Sequence, residues 1–148
     1  MARSHRYGTP FTLAIVDLDR FKNINDKYGH QVGDRVLCNF SDTCRAALRD
    51  ADTVGRIGGE EFALLLPNTG IIEAIEVVER ARNTIENSEI ATLANDNIRF
   101  TASFGLAAYT SETDYTTPLF RRAGNAMYEA RSAGWNRICV RNPAQDPH

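Results

Sequence analysis

Phe11-Thr12-Leu13-Ala14-Ile15-Val16 is an apolar run interrupted by a single threonine, and it opens directly onto Asp17-Leu18-Asp19-Arg20-Phe21-Lys22. Continuous rather than alternating hydrophobicity specifies a central strand covered on both faces, and this strand delivers a carboxylate at its end. A helix is expected over 20–28, with Gly29 and Gly33 as turn residues. Val32, Val36, Leu37, Phe40, Cys44, Ala47 and Leu48 then recur at helical spacing and mark a helix ending near Arg49. Two short strands over 52–57 and 61–66, separated by Gly58-Gly59, form a hairpin. Pro67-Asn68-Thr69-Gly70 supplies turn and capping residues for a helix with Ile71, Ile75, Val78, Ala81 and Ile85 on one face. Every even position from Ile98 to Ala108 is apolar, which predicts one half-buried strand. Thr117-Pro118 starts a last helix with a capping hydroxyl and a first-turn proline, Gly134 stops it, and 137–140 adds an edge strand. The order predicts an α+β domain with a central mixed sheet flanked by helices.

The 148 residues fit one domain, 1–148, with a frayed tail over 142–148. Composition is ordinary for a globular protein, 43% hydrophobic and 24% charged, and no apolar run approaches the roughly 20 residues that cross a bilayer. Met1 to Arg6 is basic but is not followed by an apolar segment and cleavage site, so a cytoplasmic location is expected. Cys38, Cys44 and Cys139 are odd in number and form no C-x-x-C pair, which argues against a zinc site or a disulfide framework and for small buried hydrophobes. A net charge of −2 gives no reason to expect a nucleic-acid polymer as partner.

Gly58-Gly59-Glu60-Glu61-Phe62 sets two residues without Cβ atoms before two adjacent acids at a hairpin tip. Gly58 and Gly59 let a phosphate approach main-chain N–H groups, and the acids offer hard oxygen ligands for a divalent cation. A glycine turn followed by solvated glutamates is an equally good reading of the pentapeptide alone. Asp17 and Asp19 add a second acidic site, sharing a side while the chain stays extended. If the hairpin pairs beside the first strand, Asp17 meets Glu60 or Glu61, and clustered carboxylates repel unless a cation sits among them.

These motifs resemble the GGDEF family, the diguanylate cyclases. The signature reads Gly58-Gly59-Glu60-Glu61-Phe62. It is preceded by Asp17-Leu18-Asp19-Arg20-Phe21-Lys22, Asn25-Asp26 and Gly29-His30-Gln31-Val32-Gly33-Asp34, and followed by Thr101 to Ala107 and Ala126 to Arg131. The resemblance implies a ferredoxin-like core similar to the palm of polymerases and class III nucleotide cyclases. It implies condensation of two GTP into cyclic di-GMP by attack of a 3′-hydroxyl on an α-phosphate. Two Mg²⁺ or Mn²⁺ ions per site would be organised by Asp17, the Leu18 carbonyl, Glu60 and Glu61, with Glu60 or Glu61 taking the hydroxyl proton. Asn25 and Asp34 would recognise guanine, His30 would lie near that pocket, and Lys22 and Arg131 would neutralise phosphates. Two positions depart from the family pattern: Asn125 replaces an aspartate and Trp135 a basic residue, which Arg137 would have to replace.

One GTP per domain implies a homodimer with facing active sites. Arg49-Asp50-Ala51-Asp52 stands five residues before Gly58, where the family carries a product-inhibition site for cyclic di-GMP. An arginine capping a helix end and an aspartate opening a strand account for the same four letters. Only Arg3 to Gly8 precedes Thr9, so the resemblance implies an upstream sensory or dimerising region outside this stretch. A competing reading is a catalytically weak or inactive GGDEF domain serving as a GTP or cyclic di-GMP receptor.

Overall fold

The structure, a computed structural model, describes residues 10–91, 97–109 and 116–142. β1 (Phe11–Leu18) is buried at every position. It pairs antiparallel with β3 (Glu61–Pro67) on one side and β6 (Ala102–Ala108) on the other. β2 (Thr53–Gly58) continues the sheet beyond β3, and β7 (Ile138–Val140) lies parallel to β6, giving the order β2-β3-β1-β6-β7. A central strand flanked on both sides and faces has nowhere to expose an alternating polar set, which is why its sequence is a continuous apolar run.

Four helices complete the described fold: α1 (Phe21–Tyr28), α2 (His30–Ala47), α3 (Ile71–Glu86) and α4 (Thr116–Ser132). Side chains alternate across a strand, so β1 feeds two cores. Ala14, Val16 and Leu18 join Phe62, Leu64 and Phe104 against Val36 and Phe40 of α2 and Val78 of α3. The Phe40 and Phe62 rings meet at 4.6 Å between centroids, an aromatic contact contributing about 0.5–1.5 kcal/mol beyond its buried area. On the opposite face Phe11, Leu13 and Ile15 pack with Ala107 against Leu119, Ala123 and Met127 of α4. Asp17 is the next member of that odd-numbered series, so the sheet turns it toward the α4 side.

Five expectations are corrected. Gly33 lies inside α2, which starts at His30, because it is a packing position rather than a turn. The turn of the hairpin is Gly59-Glu60, since β2 runs through Gly58 after a register shift beyond Arg56. Residues 98–108 are not one strand: β5 (Asn97–Ile98) pairs with an unanticipated β4 (Ile90–Ala91), and β6 starts at Ala102. Ile98 and Phe100 keep the inward alternation, and the Thr101 carbonyl still accepts from Asp19 N–H at 2.9 Å, in register with the β1–β6 pairing. α4 starts at Thr116, so Thr117 lies within it rather than before it. Only Cys44 is a fully buried cysteine, its thiol pushed by burial up to about 12; Cys38 is exposed. The expected frayed tail lies outside the described residues beyond Asn142, and no helix among the described residues is long and apolar enough to cross a membrane.

Candidate active site

Three strands bring the acids together. Asp17 stands opposite Glu61 of β3 and opposite Ser103 of β6, and Leu18 N–H donates to the Glu60 carbonyl at 3.2 Å. Directly opposed residues of antiparallel strands share a face with Cβ atoms about 5 Å apart. The hairpin tip is therefore locked beside the end of β1. Gly59 has φ +54°, a left-handed conformation suited to glycine at this turn, and Arg56 Nε donates to its carbonyl at 2.9 Å.

Asp17 is 4% exposed, whereas Glu60 and Glu61 are half-buried. Burial is the largest cause raising its pKa to about 7; Arg131 opposes the rise, while Glu60, Glu61 and Asp19 add to it. Among the described residues no three His, Cys, Asp or Glu side chains form a ready metal-binding group. Arg131 Nη1 instead donates to Asp17 Oδ2 at 3.0 Å. The donor set fits a hard divalent cation: it offers only oxygens, and its buried carboxylate lacks the positive charge needed to ionise fully at neutral pH.

Asp19 has a different task from Asp17. Its Oδ1 accepts from the Ser103 hydroxyl at 2.7 Å, and its Oδ2 accepts from the Thr101 hydroxyl at 2.6 Å and Asn136 N–H at 3.0 Å. It ties β1, β6 and the turn before β7 together. In that turn Trp135 and Asn136 have φ of 65° and 51°. Arg20, also left-handed with φ 55°, lays its guanidinium 4.4 Å from the Trp135 ring centroid. Arg137 donates through Nε to the Trp135 carbonyl at 3.1 Å, so the cation placed on the indole is Arg20.

The expected base-reading residues lie on α1 and α2. Gly33 permits their approach, because a Cβ there would stand 1.8 Å from Asn25 Oδ1, a buried atom without a hydrogen-bond partner. Asp34, the next residue, is exposed; His30, one turn before it, and Lys22 in the first turn of α1 are exposed as well. Arg49 and Asp52 are brought to each other: Arg49 Nε and Nη2 donate to the two Asp52 carboxylate oxygens at 3.0 and 3.1 Å. Arg49 also reaches Glu73 at 3.2 Å and the Thr69 hydroxyl. Asn125 is half-buried on α4.

Residues 1–137 match the family model described as diguanylate cyclase, GGDEF domain. The chain belongs to the GGDEF family. Diguanylate cyclase DgcM of Escherichia coli K12 is 41% identical over 128 residues, covering 86% of this chain and 30% of that protein. The active GGEEF domain of a diguanylate cyclase from Vibrio cholerae superposes with TM-score 0.87 at 31% identity, covering 94% of this chain and 87% of that one. The GGDEF domain of DgcB from Caulobacter crescentus, solved with c-di-GMP, gives TM-score 0.89 at 28% identity over 94% of this chain and 82% of that one. The chain spans 36% and 30% of the first two curated relatives, so it corresponds to about a third of their length.

Within this GGDEF domain, sequence reasoning missed the latch made by Asp19, Ser103, Thr101 and Asn136. The alternation of β6 carried a signal: Ser103 is a fully buried hydroxyl in an otherwise apolar strand and therefore needs a partner. It also missed the Arg20–Trp135 stack, which joins residues far apart in sequence.

The pKa of Asp17 has a measurable consequence in the metal-free protein. Its folded-state value lies above the ordinary one, so its favourable contribution is complete below pH 3.8 and is lost as pH rises to about 7. An amide at this position does not titrate. In chelator, Asp17→Asn should gain stability relative to the parent protein between about pH 4 and pH 8, by up to about 4 kcal/mol in urea unfolding. Parallel stability profiles would show that Asp17 ionises normally.

Proposed function

We propose that this domain is an active diguanylate cyclase that condenses two GTP into cyclic di-GMP and two pyrophosphates. The observation that carries the reading is the register placing Asp17 opposite Glu61 at the tip of a Gly-Gly-Glu-Glu-Phe hairpin. Membership of the GGDEF family supports the same chemistry.

The 3′-oxygen of one GTP forms a bond to the α-phosphorus of the other as the bond to pyrophosphate breaks, and the same exchange with roles reversed closes the ring. Glu60 accepts the hydroxyl proton, with Glu61 as the alternative base. Asp17, the Leu18 carbonyl, Glu60 and Glu61 would hold two Mg²⁺ or Mn²⁺ ions, whose charge lowers the pKa of the attacking hydroxyl and offsets charge on the phosphates. Lys22 and Arg131 bind the phosphates, and Gly58 and Gly59 leave room for them. Asn25 and Asp34 hold guanine, an aspartate accepting from its N–H donors, while His30 hydrogen-bonds at the rim. Each domain binds one GTP, so turnover takes place across a two-fold axis in a homodimer.

Purified protein given GTP and Mg²⁺ should release cyclic di-GMP and pyrophosphate. Glu61→Gln should cut turnover by roughly two orders of magnitude or more while the circular dichroism spectrum stays unchanged. Parent-like rates in that variant would remove Glu61 from the site.

Gly33→Ala tests the guanine subsite. The helix gains an alanine, but the new Cβ displaces the end of the Asn25 side chain. Stability should hold or rise by up to about 1 kcal/mol while the KM for GTP rises roughly tenfold. An unchanged KM would detach Asn25 from substrate.

Cyclic di-GMP inhibits at Arg49 and Asp52 in the same proposal. DgcB, a relative in fold, was solved with c-di-GMP. Arg49 is 37% exposed and already forms a fork on Asp52, so product would exchange the outer contacts with Glu73 and Thr69 for its own phosphate or guanine edge. In calorimetry on folded protein, Arg49→Ala should weaken product binding roughly tenfold or more, whereas Asp17→Asn should leave it intact. Equal affinity in Arg49→Ala would exclude this location.

A further inference from the structure

A cleft of about 380 Å³ lies where α2 ends and β2 begins, at the far end of the hairpin from Glu60 and Glu61. The volume falls within the roughly 300–1,000 Å³ of small-molecule sites. Leu48 and Val54 give it an apolar lining that is half-buried against the core. Two arginines also line it, Arg45 and Arg49, and they differ in what they can offer a ligand.

Arg49 is already committed. Four hydrogen bonds engage all three nitrogens of its guanidinium: two to the Asp52 carboxylate, one to Glu73 and one to the Thr69 hydroxyl. The Asp52 side chain is fully buried and also accepts from Arg49 backbone N–H at 2.9 Å. Thr69 is fully buried as well, its hydroxyl donating to the Pro67 carbonyl at 2.7 Å. Buried groups therefore clamp Arg49, and only the exposed contact with Glu73 is readily exchanged for a ligand.

Arg45 is the reverse case. It stands four residues earlier in the last turn of α2, with its side chain exposed. Among the described residues its guanidinium makes no hydrogen bond, ion pair or ring contact. The helix dipole favours a cation in this turn, but it takes up none of the five N–H donors. Asp50, the remaining acid of the cleft, is exposed on the following turn, where water and salt screen it.

We infer that Arg45 is the phosphate-binding residue of this cleft, an inference that rests on the placement of product at Arg49 and Asp52. Cyclic di-GMP presents phosphodiesters, whose charge does not titrate near neutral pH, and guanines. The planar fork of Arg45 matches the two non-bridging oxygens of one phosphodiester, and Arg45 gives up no internal partner to bind them. Arg49 Nη1 exchanges Glu73 for the O6 or N7 acceptor of a guanine, whose face covers Leu48 and Val54. The clamped arginine thus fixes the base, and the unpaired one holds the charge.

The whole protein is titrated with cyclic di-GMP by calorimetry in chelator and without GTP, so that no turnover occurs. Arg45→Gln should weaken binding roughly fivefold or more and make the affinity less sensitive to added salt, with circular dichroism unchanged. Arg45→Lys, which keeps the charge, should recover most of the loss. Arg49→Ala reports on the location. If Arg49→Ala weakens binding while Arg45→Gln binds as the parent does, the product site stands and the role of Arg45 falls. Equal losses in Arg45→Lys and Arg45→Gln, or a parent-like salt dependence in Arg45→Gln, would also overturn it. Unchanged affinity in Arg49→Ala, or no saturable heat with the parent protein, would remove the product site and this role together.

Discussion

Asp17 sets a carboxyl group into the buried face of the sheet near the end of β1. It follows Leu13 and Ile15 on the face covered by α4, yet it carries a carboxyl group where its neighbours carry methyl groups. A buried carboxylate must either keep its proton or acquire positive charge. Arg131 from the last turn of α4 supplies part of that charge, and the opposed Glu61 adds to the demand for more. The flanking strands hold Asp17 between Glu61 and Ser103, so the three residues share one face of the sheet. The ladder thus fixes the acidic neighbours of a carboxyl group whose burial already disfavours its charged form.

The two aspartates at the end of β1 show how environment assigns roles to identical side chains. Asp19 is as buried as Asp17, but hydroxyls and a backbone N–H satisfy its oxygens. It acts as a clasp on the turn before β7, and the resulting left-handed turn sets Trp135 beneath Arg20. Asp17 has one arginine against three acidic neighbours, Glu60, Glu61 and Asp19. The first aspartate is paired with Arg131 among like charges, and the second is committed to structure.

Much of this was legible from spacing. The buried central strand, most of the helix and strand order and the hairpin follow from periodicity and glycine placement; the meeting of Asp17 with Glu60 or Glu61 was conditional on the hairpin pairing beside β1, which the register supplies with Glu61 opposite Asp17. These signals are local, and the ladder merely carries them into space. Errors fell where a local signal met a nonlocal partner. Gly33 looked like punctuation because glycine breaks helices, but α2 uses it to admit Asn25 from α1. The alternation from Ile98 to Ala108 was real, yet its two ends pair with different partners, Asn97–Ile98 with Ile90–Ala91 and Ala102–Ala108 with β1.

The sequence by itself determined that the chain is an α+β domain with a strand-end acid and an acidic Gly-Gly hairpin, because side-chain period and turn chemistry are properties of consecutive residues. Its motifs in order also carried the family. Tertiary structure alone decided which charges are paired. Arg131 meets Asp17, Arg49 closes on Asp52 and Glu73, and Arg20 finds Trp135 instead of a carboxylate. Such pairings depend on distances between elements and on the dielectric around them, and neither is written in the spacing of letters along one strand or helix.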